Sequence, residues 1–374
     1  MILDDLVKNP GAWLATGRDT GVALSHRIRL ARNVKGEPFP GWAGVGVRRV
    51  LRERLFETLR DIPALRNGLF LNMDSLDALD RETLKERRLI SLELVEQDKG
   101  QGGGVVVSED EQIAIMINEE DHFRIQGIGS GMDARRTWTR LRELDEEIEQ
   151  RVEYAFSSAL GYLTACPSNV GTGLRVSVMM HLPGLRIMDE MGPAAKGLEK
   201  MGLAVRGLNG EGTEAWGNLY QISNQSTLGE SEEALLDRML KIGLEMAMHE
   251  ENARTRALES RGVSLRDHVG RAFGIVRHAT MLSFQEAVDL LSALRLGVDL
   301  GLIGRLSVGR INEALLLTQP AHLQKMAGAV KTPDERDEWR ARMTRDMLGS
   351  ATLKGARGRR AAGARSAMPA RKSS

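Results

Sequence analysis

Ile113-Ala114-Ile115-Met116-Ile117-Asn118-Glu119-Glu120-Asp121-His122-Phe123-Arg124-Ile125-Gln126 is the stretch on which the architecture turns. Two apolar runs flank a polar, acidic turn, which predicts a pair of strands joined at that turn. Three consecutive carboxylates repel one another, so the turn is either solvated or holds a cation or a guanidinium between them. Working outward, Leu174 to Leu182, Leu203 to Leu208 and Leu219 to Ser223 are further strand candidates. Gly127-Ile128-Gly129-Ser130-Gly131 reads as a mobile loop. Apolar residues at helical spacing (Trp138, Leu141, Leu144, Ile148, Val152, Phe156) predict one long amphipathic helix between Asp133 and Leu160. Short strands mixed with helices over residues 20–228 make the fold class α+β.

The pattern changes after Leu228. Ser231-Glu232-Glu233 reads as an N-cap with acids in the first turn, opening a helix through about Arg256. Helical spacing continues over 282–295, 308–317 and 334–348, so this region is expected to be all-helical. Residues 351–374 carry seven bases and no acid. The net charge is +1, so the rest of the chain sums to −6 once those seven are set aside. An acidic folded body with a disordered basic tail follows. The expected division is 1–228, 229–350 and the tail 351–374.

Composition excludes several classes. The 374 residues are 42% hydrophobic and 28% charged, which rules out wholesale disorder. One cysteine allows neither a disulfide framework nor a cysteine-rich zinc module, and it fits a reducing cytoplasm. The first ten residues carry acids where a secretion signal needs bases, and the apolar run around Leu290 to Ile303 is broken by Arg295 and Asp299. A soluble, cytoplasmic protein is expected. No G-x-x-x-x-G-K-[ST] occurs, which excludes a P-loop. His249-Glu250-Glu251-Asn252-Ala253 fails the zinc-protease pattern and reads as a solvated helix face.

Four segments are costly for a structural role. In Ser25-His26-Arg27-Ile28-Arg29, a strand would put Arg27 and Arg29 on one face, where an anion between them would relieve their repulsion. The acidic turn is the second. Cys166-Pro167-Ser168-Asn169-Val170-Gly171-Thr172-Gly173-Leu174-Arg175 sets the lone thiol in a glycine-containing loop beside an arginine, a placement that favours a thiolate. Arg206-Gly207-Leu208-Asn209-Gly210-Glu211-Gly212 puts an Arg and a Glu at the ends of a flexible loop. Together they offer Arg27, Arg29, Arg124, Arg175 and Arg206 to a polyphosphate, and Glu120, Glu211 and Cys166 to a cationic acceptor. That pairing suggests phosphoryl transfer to a guanidinium or amine.

These segments resemble the signature of the ATP:guanido phosphotransferases, whose prototype is arginine kinase. Leu317 to Gln324 and Arg336-Asp337-Glu338-Trp339-Arg340-Ala341 are similar to the family's bacterial protein-arginine kinases and have no counterpart in its free-arginine kinases. The resemblance implies a phosphagen-kinase-like catalytic domain, with an antiparallel sheet flanked by helices, plus an all-helical C-terminal domain. It implies ATP contacts from Ser25, Arg27, Arg29, Arg88, Arg124, Arg175, Ser177, Met179, Arg206, Gly207, Leu208 and Gly210. Arg88 departs from the family's usual histidine on the adenine side. Mg2+ is expected to be held mainly by phosphates and water, with no dedicated protein metal site. Glu120 and Glu211 match the two guanidinium-clamping glutamates, with Glu120 as general base. Cys166 matches the thiolate that orients the acceptor. Arg336, Asp337, Arg340 and Ala341 match the family's phosphoarginine-binding motif, an allosteric site.

The implied activity is transfer of the ATP γ-phosphoryl group to arginine side chains of proteins. The Arg27 strand begins near residue 25, which leaves no room for the N-terminal domain that closes over free arginine; an open site could admit a protein. By the same resemblance the partners are the ClpC–ClpP protease, the CtsR repressor and the McsA activator; separately, a homodimer is expected, with no membrane and no direct nucleic acid. A free-arginine kinase and a non-catalytic phosphoarginine-binding adaptor are the alternatives.

Overall fold

The computed structural model describes residues 6–8, 10–14, 21–96, 98–208, 215–328 and 331–354. Its centre is an eight-stranded sheet built from β1 (Ala23–Arg32), β2 (Leu69–Asn72), β3 (Gly104–Val107), β4 (Ile113–Ile117), β5 (Phe123–Ser130), β8 (Leu174–His181), β9 (Leu203–Gly207) and β10 (Leu219–Asn224). Two short strands, β6 (Phe156–Ser157) and β7 (Gly161–Tyr162), pair separately. The sheet order is β2-β3-β4-β5-β1-β8-β10-β9, and each neighbouring pair is antiparallel.

Helices α1 (Val45–Arg60), α2 (Ala78–Glu86), α3 (Leu92–Val95), α4 (Ala134–Glu149), α5 (Pro183–Ile187) and α6 (Met191–Lys200) belong to the same half. The main core lies on one side of the sheet: Ile28 and Leu30 of β1 and Val176 and Val178 of β8 meet Leu141 and Ile148 of α4. A second cluster, with Leu84, Leu89 and Leu94 against Leu69, Val105, Val107, Ala114 and Met116, covers the other side of β2, β3 and β4. The opposite side of β1, β5, β8 and β10 carries polar residues, with small apolar groups around Ile128 and around Leu24, Met179 and Leu219.

The second half is helical, with α7 (Glu232–His278), α8 (Phe284–Asp299), α9 (Val308–Leu317), α10 (Pro320–Ala327) and α11 (Pro333–Leu348) around a core of its own. One two-residue ladder, β11 (Ile303–Gly304) with β12 (Thr352–Leu353), is added to it. α7 passes the expected end near Arg256 and runs 47 residues, with a local break in helical geometry at Arg261. Among the described residues no helix is long and apolar enough to cross a membrane. Residues 355–374 of the basic tail lie outside the described residues.

Three expectations are corrected. Residues 127–130 are strand, not loop. Their glycines serve close approach: a Cβ on Gly127 would lie 2.6 Å from Thr137 Cγ2 of α4, and one on Gly129 2.6 Å from His26 Cε1. The helix predicted to Leu160 ends at Glu149. Beyond it the backbone is taken up by pairing with the chain after β1, through Lys35 N to Glu153 O and Ala155 N to Asn33 O. Glu250 is fully buried rather than solvated. Its carboxylate accepts Gly184 N and Leu185 N and pairs with Arg254, which also reaches Asp299 of α8.

Candidate active site

The site begins with strand alternation. Arg29 of β1 lies opposite Arg175 of β8 and Gln126 of β5, and Arg27 lies opposite Ser177. Ser177 in turn faces Ser223, Gln221 faces both Met179 and Arg206, and Arg124 faces Ala31. Directly opposed residues share a sheet face, so Arg27, Arg29, Arg124, Arg175, Ser177 and Arg206 stand on the same side.

The guanidinium groups of Arg27, Arg29 and Arg175 are poorly compensated. Arg27 donates to Gln221 Oε1 at 3.2 Å and Arg175 to Ser223 Oγ at 3.2 Å, both neutral partners. The Nε atoms of Arg29 and Arg175 are buried without a hydrogen-bond partner among the described residues. Burial, then the charges of Arg88, Arg124 and Arg175, pull the Arg27 pKa down to about 9. Burial and the Arg27, Arg124 and Arg175 charges pull Arg29 well below its ordinary value. Buried like charges persist where an anion completes them. The face therefore fits a polyphosphate.

A pocket of about 100 Å³ opens at the far end of β1, lined by Arg29, Arg124, Arg175, Glu119, Glu120 and Cys166 among others. Glu119, which the sequence reading did not single out, takes two hydrogen bonds from Arg124 Nη1, at 2.7 and 2.9 Å. Burial opposes its ionisation, yet Arg124 outweighs burial and holds the Glu119 pKa below the ordinary value. Glu120 stands exposed at the rim. Partial loss of water at the pocket wall, then the Asp121 and Glu119 carboxylates, push its pKa up.

Cys166 is half-buried, with Sγ 3.0 Å from Ser168 Oγ. Its loop is anchored at both ends. Asp121 Oδ1 accepts Ala165 N at 2.7 Å and Asn33 Nδ2 at 2.6 Å, which ties the loop to the acidic turn. At the other end Gly173 has φ +64, and a Cβ there would come within 2.7 Å of Ala31 O. Arg32, stacked 3.6 Å from the Tyr162 ring centroid, donates to Thr172 O at 2.8 Å. Glu120 is next to the anchor Asp121 in sequence; only the fold brings Ala165 to it.

At the near end of β1, Arg88 Nη1 lies 3.3 Å from Ser25 Oγ, and its guanidinium lies 5.0 Å from the Trp13 ring centroid. Gln126 holds the Arg88 carbonyl at 2.7 Å. Met179 packs with Leu24 and Leu219, against Leu208. Arg206 is exposed on β9, and Gly207 is the last residue of that strand. Gly210 and Glu211 lie outside the described residues.

The second motif is not at this face. On α11, Arg336 lines an open cavity with Lys85, Glu86, Phe284 and Gln319, and donates to Lys331 O at 3.1 Å. Arg340 is buried: Nε donates to Thr318 O at 2.9 Å, Nη1 to Leu282 O at 2.8 Å, and Asp337 pairs with it. Ala341 is fully buried in the helical core. The two arginines share a helix side, but their environments differ. Among the described residues no group of three or more His, Cys, Asp or Glu could hold a metal ion.

The sheet and its one-sided arginine face are those of phosphotransferases that act on guanidino groups. Residues 51–253 match the ATP:guanido phosphotransferase C-terminal catalytic domain, and residues 262–358 match the protein-arginine kinase McsB C-terminal domain. A crystal structure of lombricine kinase superposes with TM-score 0.54 at 25% identity, covering 69% of this chain and 76% of that one. The substrate-free duplicated taurocyamine kinase of Schistosoma mansoni gives TM-score 0.54 at 25% identity over 66% of this chain, which spans 38% of that longer one. Protein-arginine kinase of Halothermothrix orenii is 40% identical over 93% of this chain and 99% of its own, and that of Halalkalibacterium halodurans 44% over 89% and 93%. The chain belongs to the ATP:guanido phosphotransferase family, in its protein-arginine kinase branch. It is an ATP-dependent kinase whose substrates are proteins.

Proposed function

We propose that ATP lies along the arginine face with its nucleoside end at Ser25, Arg88, Met179 and Leu208 and its transferred phosphoryl group at Arg29, Arg124 and Arg175. Arg27, Ser177, Arg206, Gly207 and Gly210 complete the nucleotide contacts. The single observation that carries this reading is the common pocket, in which three guanidinium groups, Glu120 and the lone thiol meet at the end of β1. Mg2+ bound with the nucleotide would supply further charge neutralisation to the leaving group; Glu119, Glu120 and Asp121 are the carboxylates of this pocket that could hold its water shell.

The acceptor arginine enters from the exposed side of Glu120. Its guanidinium, protonated at neutral pH, is aligned by Glu120 and Glu211, and the Cys166 sulfur orients its charge. As a guanidinium nitrogen forms its bond to the γ-phosphorus, Glu120 takes a proton from that nitrogen and the bond to the ADP oxygen breaks. A raised Glu120 pKa suits a base that must accept a proton near neutral pH. Most of the acceleration comes from in-line positioning and the arginine charges.

The same proposal includes Arg336, Asp337, Arg340 and Ala341 as a phosphoarginine site, the catalytic unit as residues 1–228, and the helical unit as 229–350. It also includes a cytoplasmic homodimer serving ClpC–ClpP, CtsR and McsA. The test is incubation with Mg·ATP and either a basic protein or free arginine, with acid-labile phosphate located by mass spectrometry. Phosphoarginine on protein, lost in Glu120→Ala and Arg29→Ala, supports the assignment. Undiminished labelling by Glu120→Ala would remove Glu120 as the base.

A further inference from the structure

The segment Leu317 to Gln324, conspicuous in the sequence, adds none of the arginines of the face just described and reaches its near end through Gln319, which lines a cavity with Leu24, Arg88 and Leu208. Its structural role is specific. α10 opens at Pro320, and its first free amides, Ala321 N and His322 N, donate to the two carboxylate oxygens of Glu86 at 2.8 and 2.9 Å. A carboxylate is the group a helix N-terminus prefers. His322 Nδ1 lies 2.7 Å from Glu86 Oε2, and Nε2 lies 3.3 Å from Arg87 Nη1. Arginine only donates, so Nε2 is the acceptor and Nδ1 carries the proton. Arg87 then forks onto Glu111 at 2.8 Å through both Nε and Nη2. Arg87 and His322 are fully buried.

The next residue is Arg88. Its φ is +62, and it closes α2 with Arg88 N on Lys85 O at 2.7 Å and Leu89 N on Leu84 O at 2.9 Å. This is the helix ending in which glycine is the usual residue. An arginine is disfavoured there unless its surroundings hold it. The hold comes from both directions: Gln126 on the carbonyl, and the buried Glu86–His322–Arg87–Glu111 chain on the two residues before it.

We propose that Glu86 and His322 are positioning residues for phosphoryl transfer. By docking α10 against the end of α2 they fix Arg88 over the nucleotide face, so the seat of the helical half sets the affinity for ATP. The proposal rests on the reading that Arg88 lies at the nucleoside end.

The experiment measures KM for ATP, kcat at saturating protein substrate, and melting temperature in the full-length chain. Variants are Arg88→Ala, Glu86→Gln, His322→Ala, His322→Asn and the double Glu86→Gln/Arg88→Ala. The expected result is a KM for ATP raised roughly tenfold by Arg88→Ala, the worth of one charge-assisted contact. Glu86→Gln and His322→Ala raise it by a similar factor, with kcat within about twofold of wild type. His322→Asn, whose amide can replace the Nδ1–H, stays near wild type. The double variant is no worse than Arg88→Ala alone.

A junction that is only structural lowers the melting temperature, leaves KM for ATP unchanged in Glu86→Gln, and thereby overturns the proposal while leaving the nucleotide reading intact. An unchanged KM in Arg88→Ala overturns both. Should His322→Ala not fold, Glu86→Gln keeps the side-chain shape and one acceptor and decides the question alone.

Discussion

Arg29 and Arg175 face each other on adjacent strands with their Nε atoms unpartnered, an arrangement that disfavours the nucleotide-free protein. Arg29→Met should therefore raise the nucleotide-free melting temperature by about 2 °C, the shift corresponding to about 1 kcal/mol for a chain of this size. The further rise on adding Mg·ATP should vanish. Thermal melts with and without nucleotide check it, and a fall in the nucleotide-free melt would mean Arg29 is held by protein partners instead. Glu120 gives the pH prediction. Its pKa is raised, with Asp121 the largest charged contributor after loss of water. If Glu120 is the base proposed above, it works deprotonated, so kcat/KM should fall as pH drops through that raised pKa. Asp121→Asn removes a neighbouring negative charge and should move the acid limb to lower pH. The shared face of Arg27 and Arg29 was legible in the sequence, because strand alternation alone puts residues two apart on one side. The capture of Arg124 by Glu119 and the role of Asp121 as anchor were not legible, since their partners are chosen by the fold.

Strands announced themselves where both faces are filled, as in Ile113–Ile117, and were missed where glycine replaces side chains, as in residues 127–130. The apolar spacing of Val152 and Phe156 continued the helical period of α4 by coincidence, while the chain had already turned to pair with residues 33–35. Composition cannot distinguish these cases; proximity of a second segment does. Glycine is needed for a different reason in the Cys166 loop. Gly173→Ala meets both a left-handed backbone and the Ala31 carbonyl at 2.7 Å, so a loss of about 1–2 kcal/mol is expected. The loop then shifts away from Glu120, and kcat should fall at least tenfold while the protein remains folded. Steady-state kinetics beside circular dichroism measure both effects; unchanged kcat would detach the loop geometry from the chemistry.

Across the whole molecule, α7 begins against the sheet and ends in the helical core, with Leu235, Met239 and Ile242 in one cluster and Val269, Phe273 and Val276 in the other. The two halves also meet through the buried group of Glu250, Arg254 and Asp299. Glu250→Ala leaves two buried backbone amides without an acceptor and Arg254 with Asp299 as its remaining carboxylate, so a destabilisation of about 2–4 kcal/mol is expected. Calorimetry should record the wild type as one transition and the variant as the same transition at lower temperature. Two separated transitions in the wild type would show the halves to be independent. Sequence reading located the change of style after Leu228 but ended the first long helix some twenty residues early: the helix runs on to His278 through the break at Arg261 and past the adjoining Gly262, because its apolar positions stay packed on both sides of the break.

The alternation of β1 has a consequence for folding fidelity. Ile28 and Leu30 face the core while Arg27 and Arg29 face the opposite side. A slip of one residue in pairing would turn every one of them over and thrust two cations beneath α4. Incorrectly threaded chains are thus penalised by the very charges proposed to grip the nucleotide. Nucleotide binding becomes a report on correct assembly: a molecule able to grip a triphosphate has, by that fact, paired its central strands in register.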